Sequence, residues 1–348
     1  MAEFEVPRDS QWLRQTAQAA QEVLPDQVHD WLVGGSGFEE SLTSARTSWS
    51  DLRLTPDAGY DVSSIDTSTT VLGQRLDAPI GVAPTGFHGL VHTSAEAGMA
   101  RACAEVGLLF TLSSRASLRF EDASAGDSPW WFQPYVVRDR GLTAHQVERA
   151  VTLGARALVL TVDTPVLPAR RRSRDGSLVD AQTMLRNVPP DTALTAIEQS
   201  PSVTTSDVSW LESISGLPVV VKGVLRPDTA LRFVDAGARA VWVSNHGGRQ
   251  LDGAVAPAQA LPSVVSAVGD VAEVYVDGGI RSGIDVLRAI ALGARCAFVG
   301  RVPLLGLAAG GPTGATEVLR RLRTEFHQAM QLCGRTSVDL VGPDLIWR

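Results

Sequence analysis

A histidine, two glycines and an arginine, His246-Gly247-Gly248-Arg249, stand inside the stretch 244–253. The apolar run Ala240-Val241-Trp242-Val243 comes just before them and reads as a buried strand. A base and a permanent cation therefore sit where a strand empties into a loop, and paired glycines let backbone approach a ligand closely. A histidine three residues ahead of an arginine can take a proton from an anion that the arginine holds. The same four residues would also serve as a polar turn after a core strand.

Other apolar runs end in the same way. Pro84-Thr85-Gly86, Ser113-Ser114, Gln133 with Tyr135, Thr161 with Asp163, Lys222, Asp277-Gly278-Gly279 with Arg281, and Gly300-Arg301 each follow one, and Arg170 lies in the loop after Asp163. The Asp277-Gly278-Gly279-Ile280-Arg281 and Gly300-Arg301 pair offers backbone N–H groups and guanidinium ions suited to a phosphate. Lys222 ends an apolar strand, so its ammonium needs an anion or a ligand. Ser113, Gln133, Thr161 and Ser244 supply neutral donors and acceptors for the edge of a heterocycle. A phosphate at one end and a polar-edged ring at the other describe flavin mononucleotide (FMN).

The elements that must carry these residues follow a rhythm. Apolar runs at 79–83, 108–112, 130–136, 157–162, 218–221, 240–243, 274–276 and 296–299 alternate with helical patterns at 94–106, 143–153, 227–236, 257–268 and 283–292. Strands alternating with helices imply a parallel sheet, and eight units imply a (β/α)8 TIM barrel of the α/β class. Leu153-Gly154-Ala155-Arg156, Ala236-Gly237-Ala238-Arg239 and Leu292-Gly293-Ala294-Arg295 each read as a helix end, a glycine cap and a strand entry, an internal echo expected of repeated βα units. A doubly wound sheet is the alternative, but no G-x-G-x-x-G follows the first strand. Residues 1–77 read as a preface with helices at 11–24, 26–33 and 39–49, then strand-and-turn material at 53–76. Residues 78–348 read as the FMN-binding barrel, with a polar lid at about 170–210 between the fourth and fifth strands.

Composition narrows the function. The chain has 348 residues, 44% hydrophobic and 20% charged, an ordinary globular balance. Its net charge of -7 gives no global case for nucleic acid. Cys103, Cys296 and Cys333 are far apart, with neither metal-ligand spacing nor a disulfide framework. With no apolar core at residues 1–14 and no ~20-residue apolar stretch, the expectation is a cytoplasmic enzyme that binds neither membrane nor metal.

These segments together resemble the FMN-dependent 2-hydroxy acid oxidases and dehydrogenases, which include glycolate oxidase, lactate oxidase and mandelate dehydrogenase. The matching stretches occur in family order: 83–86, 111–114, 131–135, 160–165, 221–224, 244–253, 277–281 and 300–301. The resemblance implies that His246 takes the substrate proton and Asp163 stabilises its imidazolium. It implies that Arg170 and Arg249 clamp the substrate carboxylate and that Tyr135 hydrogen-bonds the substrate. Lys222 would sit by the N1/O2 edge of the flavin. Homotetramers are common in the family, and one is expected here.

Three positions depart from the pattern. Trp31 replaces a carboxylate-binding tyrosine, which points to a bulkier or differently held substrate. Gly86 replaces an alanine and removes a methyl near the flavin, as in mandelate dehydrogenase-like members. Arg115 replaces a bulky tryptophan; it either adds a third cation that favours a second anionic group or, as slightly preferred, reaches solvent. Of the basic run Arg170-Arg171-Arg172 with Arg174, only Arg170 is expected to point inward. The expected reaction is oxidation of an L-(S)-2-hydroxy acid, aromatic or bulky and mandelate-like, to the 2-oxo acid, with O2 as acceptor. The alternatives are a soluble dehydrogenase using a quinone or protein acceptor, a relative acting on a carrier-bound or peptidyl substrate, and a flavin-free barrel enzyme for a phosphorylated substrate.

Overall fold

The computed structural model describes residues 9–123, 128–170, 172 and 178–347. Three helices open the described chain: α1 (Gln11–Val23), α2 (Asp26–Val33) and α3 (Glu40–Asp51). Pro25 separates the first two, and Gly34 lies just past the end of the second. Most of the segment read as strand and turn is irregular. Its only strands, β1 (Thr69–Val71) and β2 (Gln74–Leu76), pair as an antiparallel hairpin, and Leu54 and Asp66 make isolated bridges to Ile346 and Ser337.

The next eight strands close into a parallel barrel: β3 (Ile80–Val82), β4 (Leu109–Ser113), β5 (Trp130–Gln133), β6 (Leu158–Thr161), β7 (Val219–Val224), β8 (Ala240–Val243), β9 (Glu273–Val276) and β10 (Cys296–Val299). Each falls on one of the eight apolar runs because a strand buried on both faces has little place for polar residues. The connecting helices are α4 (Ala95–Val106), α5 (Phe120–Ala123), α6 (Arg140–Thr152), α7 (Ala181–Met184), α8 (Ser206–Ser215), α9 (Pro227–Asp235), α10 (Pro257–Val268) and α11 (Gly283–Ala291). A final helical segment, α12 (Arg301–Leu332), is broken at Gly310 and Gly311, where the backbone leaves helical geometry.

The inside of the barrel is solid. Trp131, Trp242, Tyr275 and Phe298 fill it, with the Trp242 and Phe298 ring centroids 3.8 Å apart. Gly81 on β3 makes this possible, since a Cβ there would collide with the Phe298 ring. Val71 and Leu76 of the hairpin pack on the same cluster, and Trp131 Nε1 donates to Gln74 Oε1 at 3.3 Å. The hairpin therefore plugs the N-terminal end of the barrel and leaves the other end for chemistry.

Parts of the 170–210 segment are tied to the rest of the chain. Its 194–200 part runs alongside 136–139: Val137 and Gln199 form an antiparallel bridge, and Arg138 N–H donates to the Glu198 carbonyl at 2.9 Å. Ile197 is buried with Val137 and Leu142, while Tyr135 and Met184 pack against them. From Ser206 the chain is α8, which packs on the barrel with Val208 and Leu211 buried. The polar composition concealed this because the few apolar residues of the segment are scattered.

Candidate active site

At the C-terminal end of the barrel lies a cavity of about 710 Å³, within the range of small-molecule and cofactor sites. A larger, open hollow at the opposite end is lined by turns such as Gly216, Gly237 and Gly293. None of the expected site residues lies there, so we place the chemistry in the smaller cavity. Its lining includes Trp31, Pro84, Thr85, Gly86, Ser113, Arg115, Tyr135, Arg170, Lys222, His246, Arg249, Asp277, Gly278, Arg281, Gly300 and Arg301. Four expected residues stand behind that wall: Gln133, Thr161, Asp163 and Ser244. Ser113 donates to Gln133 Oε1 at 2.8 Å, and the Gln133 amide nitrogen is buried without a protein partner. Thr161 ends β6, in register with Lys222.

His246 Nδ1 lies 2.9 Å from Asp163 Oδ1. With Nδ1 engaged by a carboxylate, the tautomer this contact favours carries its proton there and leaves Nε2 as the basic nitrogen. The His246 backbone is left-handed, at φ 57°, and Gly247 and Gly248 continue in the same region at 62° and 71°. The Ser244 hydroxyl accepts from His246 N–H at 3.0 Å and fixes this turn. A non-glycine residue held there stores strain of about 1–3 kcal/mol.

Asp163 owes its place to Gly223. That glycine sits at a bulge near the end of β7, at φ 103°, and a Cβ on it would stand 2.5 Å from Asp163 Cγ. Burial alone would raise the Asp163 carboxyl, but the charge and hydrogen bond of His246, with the charge of Lys222, hold it below its usual range. Lys222 Nζ lies 3.2 Å from Asp277 Oδ2 and donates to Ser244 Oγ at 3.1 Å. Burial works against its ammonium, and the charges of Asp277 and Asp163 outweigh burial and raise it.

Five arginines need individual placing. Arg249 donates to the Trp31 and Gly34 carbonyls at 2.7 and 3.0 Å, and its guanidinium lies over the Trp31 ring, 5.4 Å from the centroid. Arg301, at the N-terminus of α12, donates to the Leu32 and Gly34 carbonyls, both at 3.0 Å. Burial, then the neighbouring charge of Arg281, brings Arg301 to about 10; burial, then Arg46, does the same for Arg281. Guanidinium ions remain charged, so this crowding of buried cations marks a place made for an anion. Arg170 lines the cavity with no hydrogen-bond or ion-pair partner among the described residues. Arg172 points away and pairs with Glu39 at 2.8 Å. Arg171 and Arg174 lie outside the described residues.

Two readings of single residues change. Arg115 does not run out into solvent: it lines the cavity, and its Nη2 donates to the Ile197 carbonyl at 2.5 Å. The methyl that Gly86 lacks would point at Arg115, 2.9 Å from its Cβ and 3.2 Å from its carbonyl oxygen. Gly86 therefore makes room for the Arg115 main chain and Cβ, while itself lining the cavity. Trp31 lies on the cavity wall, and its ring faces Arg249.

Several lining residues gave little or no signal in the sequence. Arg46 on α3 bonds Asp9 at 2.8 Å, and Asp9 also reaches Arg281 at 3.4 Å. Leu167, Met184, Leu194 and Ile197 line the mouth. Leu167 lies four residues after Asp163, a spacing that hinted at the same loop. The other three lie in a polar stretch without periodicity.

The comparisons with known proteins agree with this geometry. A family model described as FMN-dependent dehydrogenase matches residues 20–348. The chain is 42% identical to an L-lactate oxidase of Nostoc sp. over 91% of this chain and 92% of that protein. It is 41% identical to human 2-hydroxyacid oxidase 2, over 94% and 95%. A solved mandelate oxidase structure superposes with a TM-score of 0.90 at 39% identity, covering 96% of this chain and 97% of that one. A closed eight-stranded barrel, a histidine–carboxylate pair at its open end and this extended similarity lead to one conclusion: the chain belongs to the FMN-dependent dehydrogenase family.

Proposed function

We propose that this chain is an FMN-dependent enzyme that oxidises an L-2-hydroxy acid to the 2-oxo acid. The observation that carries the reading is the His246–Asp163 pair at 2.9 Å in a cavity whose wall also holds Arg170 and Arg249. The donor set fits FMN. Arg281, Arg301 and the free N–H groups that open α12 suit a phosphate. The unpartnered Gln133 amide nitrogen, Ser113 and the Lys222 ammonium suit the polar edge of the ring. Bound FMN supplies the acceptor for the two electrons that leave the substrate.

The protein's own groups do the rest. Arg170 and Arg249 receive the substrate carboxylate, each able to offer a two-pronged donor set. Tyr135, whose phenol burial raises and thus keeps protonated, is a donor toward the substrate hydroxyl or carboxylate. His246 Nε2 takes the proton that leaves the substrate, and the Asp163 carboxylate stabilises the resulting imidazolium. Lys222, kept charged by its carboxylate neighbours, opposes negative charge building up beside it.

The finer readings are proposals too. Leu167, Met184, Leu194 and Ile197 at the mouth favour a side chain larger than a methyl, in keeping with the likeness to mandelate oxidase. The likeness to oxidases favours O2 as the acceptor over a quinone or protein. Three unpaired, buried cysteines favour a reducing compartment, hence the cytoplasm. A homotetramer rests on the family resemblance alone and is tested by light scattering.

The function is tested by anaerobic bleaching of the flavin with glycolate, lactate, (S)-mandelate and other 2-hydroxy acids. Bleaching by at least one of them supports it, and a colourless protein or an inert flavin overturns it. In air, one peroxide per turnover supports the oxidase reading; reduction of an artificial dye without peroxide rejects it.

A further inference from the structure

We propose that Arg115 reads a second negative charge on the substrate, so that the preferred L-2-hydroxy acid carries a carboxylate on its side chain. This rests on the function proposed above and names its substrate class.

The argument begins with charge. Arg115, Arg170 and Arg249 all line the substrate end of the cavity, and among the described residues none has a carboxylate within ion-pair distance. Arg138, the other arginine near this end, is already paired with Glu198 at 2.8 Å. A single carboxylate presents two oxygens, which two guanidinium groups saturate. The third cation has only a neutral main-chain oxygen, that of Ile197. A partly buried guanidinium with no counter-charge is costly unless a ligand brings one.

The local chain also fixes the main chain from which this side chain springs. Gly86 leaves the space that the Arg115 backbone and Cβ fill, and the Phe87 N–H donates to the Arg115 carbonyl at 2.8 Å. The Ser113 hydroxyl accepts from Arg115 N–H at 3.2 Å. The guanidinium itself is tied to the 194–200 segment through the Ile197 carbonyl, and Arg115 lines the cavity. Its contact with Ile197 also offers a plainer role, as a tether for that segment. The two roles predict different kinetics.

The test uses the FMN-loaded enzyme and anaerobic flavin reduction. Two pairs differ only in the distal charge: 2-hydroxyglutarate against its 5-amide, and 4-carboxymandelate against 4-carbamoylmandelate. The wild type should favour the charged member of at least one pair by tenfold or more in kcat/KM. Arg115→Met should bring that ratio within threefold of unity by lowering kcat/KM for the charged member more than for the neutral one, and Arg115→Lys should retain part of the preference. Equal rates for charged and neutral members in the wild type overturn the proposal. So does an equal loss for both members in Arg115→Met, which would mark a tether. Should the variant not retain FMN, competitive inhibition of the wild type decides: 2-oxoglutarate should bind at least tenfold tighter than its 5-amide, and equal binding overturns the inference. Bleaching by neutral acids alone would leave the oxidase function standing and remove only Arg115's role; no bleaching by any 2-hydroxy acid removes both.

Discussion

Replacing Asp163 by Asn preserves the shape of His246's partner and removes its charge. In the native site the carboxylate faces His246 Nδ1 at 2.9 Å, its second oxygen is buried without a partner, and the two side chains are 13% and 20% exposed. A charge-assisted hydrogen bond of this kind contributes about 1.5–3 kcal/mol. That support matters most when His246 becomes positive, so most of it is lost from the barrier. At about 1.4 kcal/mol per tenfold, the rate of flavin reduction should fall roughly 10- to 150-fold. FMN should remain bound, because Asp163 stands behind the cavity wall. The assay is anaerobic stopped-flow reduction with a saturating 2-hydroxy acid, alongside the visible spectrum of the purified variant. A loss under threefold with flavin bound would show that Asp163 does not support the imidazolium. Loss of the flavin would show that its role is structural.

Other expectations follow from the same contacts. Gly223→Ala places a Cβ 2.5 Å from Asp163 Cγ at a backbone φ of 103°; it should cost about 1–3 kcal/mol in thermal unfolding and slow flavin reduction together. Because Asp163 is held below its usual range, its ionisation contributes stability above the unfolded value of about 3.9 and loses it as pH falls through the lower folded value. The melting-temperature gap between wild type and Asp163→Asn should therefore shrink between about pH 5 and pH 3; a gap that widens there refutes the sign. Glu96 is buried and accepts from the N–H groups of His88, Ser117 and Leu118 at 2.9, 2.9 and 3.2 Å. Removing it in Glu96→Ala should cost about 2–4 kcal/mol, measured by urea unfolding, since buried donors are left unmet.

The barrel was legible because its signals are local. Eight apolar runs and the glycine-capped helices between them specify βα units without reference to distant residues. Once such units close, every strand end faces the same rim. For that reason Lys222, His246, Arg249, Asp277 and Arg301 could be grouped although up to 79 positions separate them. The segment 170–210 was less legible. Its few apolar residues have no period, yet Ile197 and Met184 pack beside Tyr135 through contacts distant in sequence.

By itself, then, the sequence determined the architecture, the chemical character of each strand end and the resemblance that ties them to FMN and a 2-hydroxy acid. Only the tertiary structure decided which side chains act on one another. It showed that Gly223 yields its space to Asp163 and that Gly86 yields its own to Arg115. It also turned Arg46 on α3 toward the cavity and gave Arg115 the Ile197 carbonyl instead of solvent. The reason is physical. Apolar periodicity records burial along one segment, whereas the direction of a polar side chain depends on which other segment stands within about 3 Å of it.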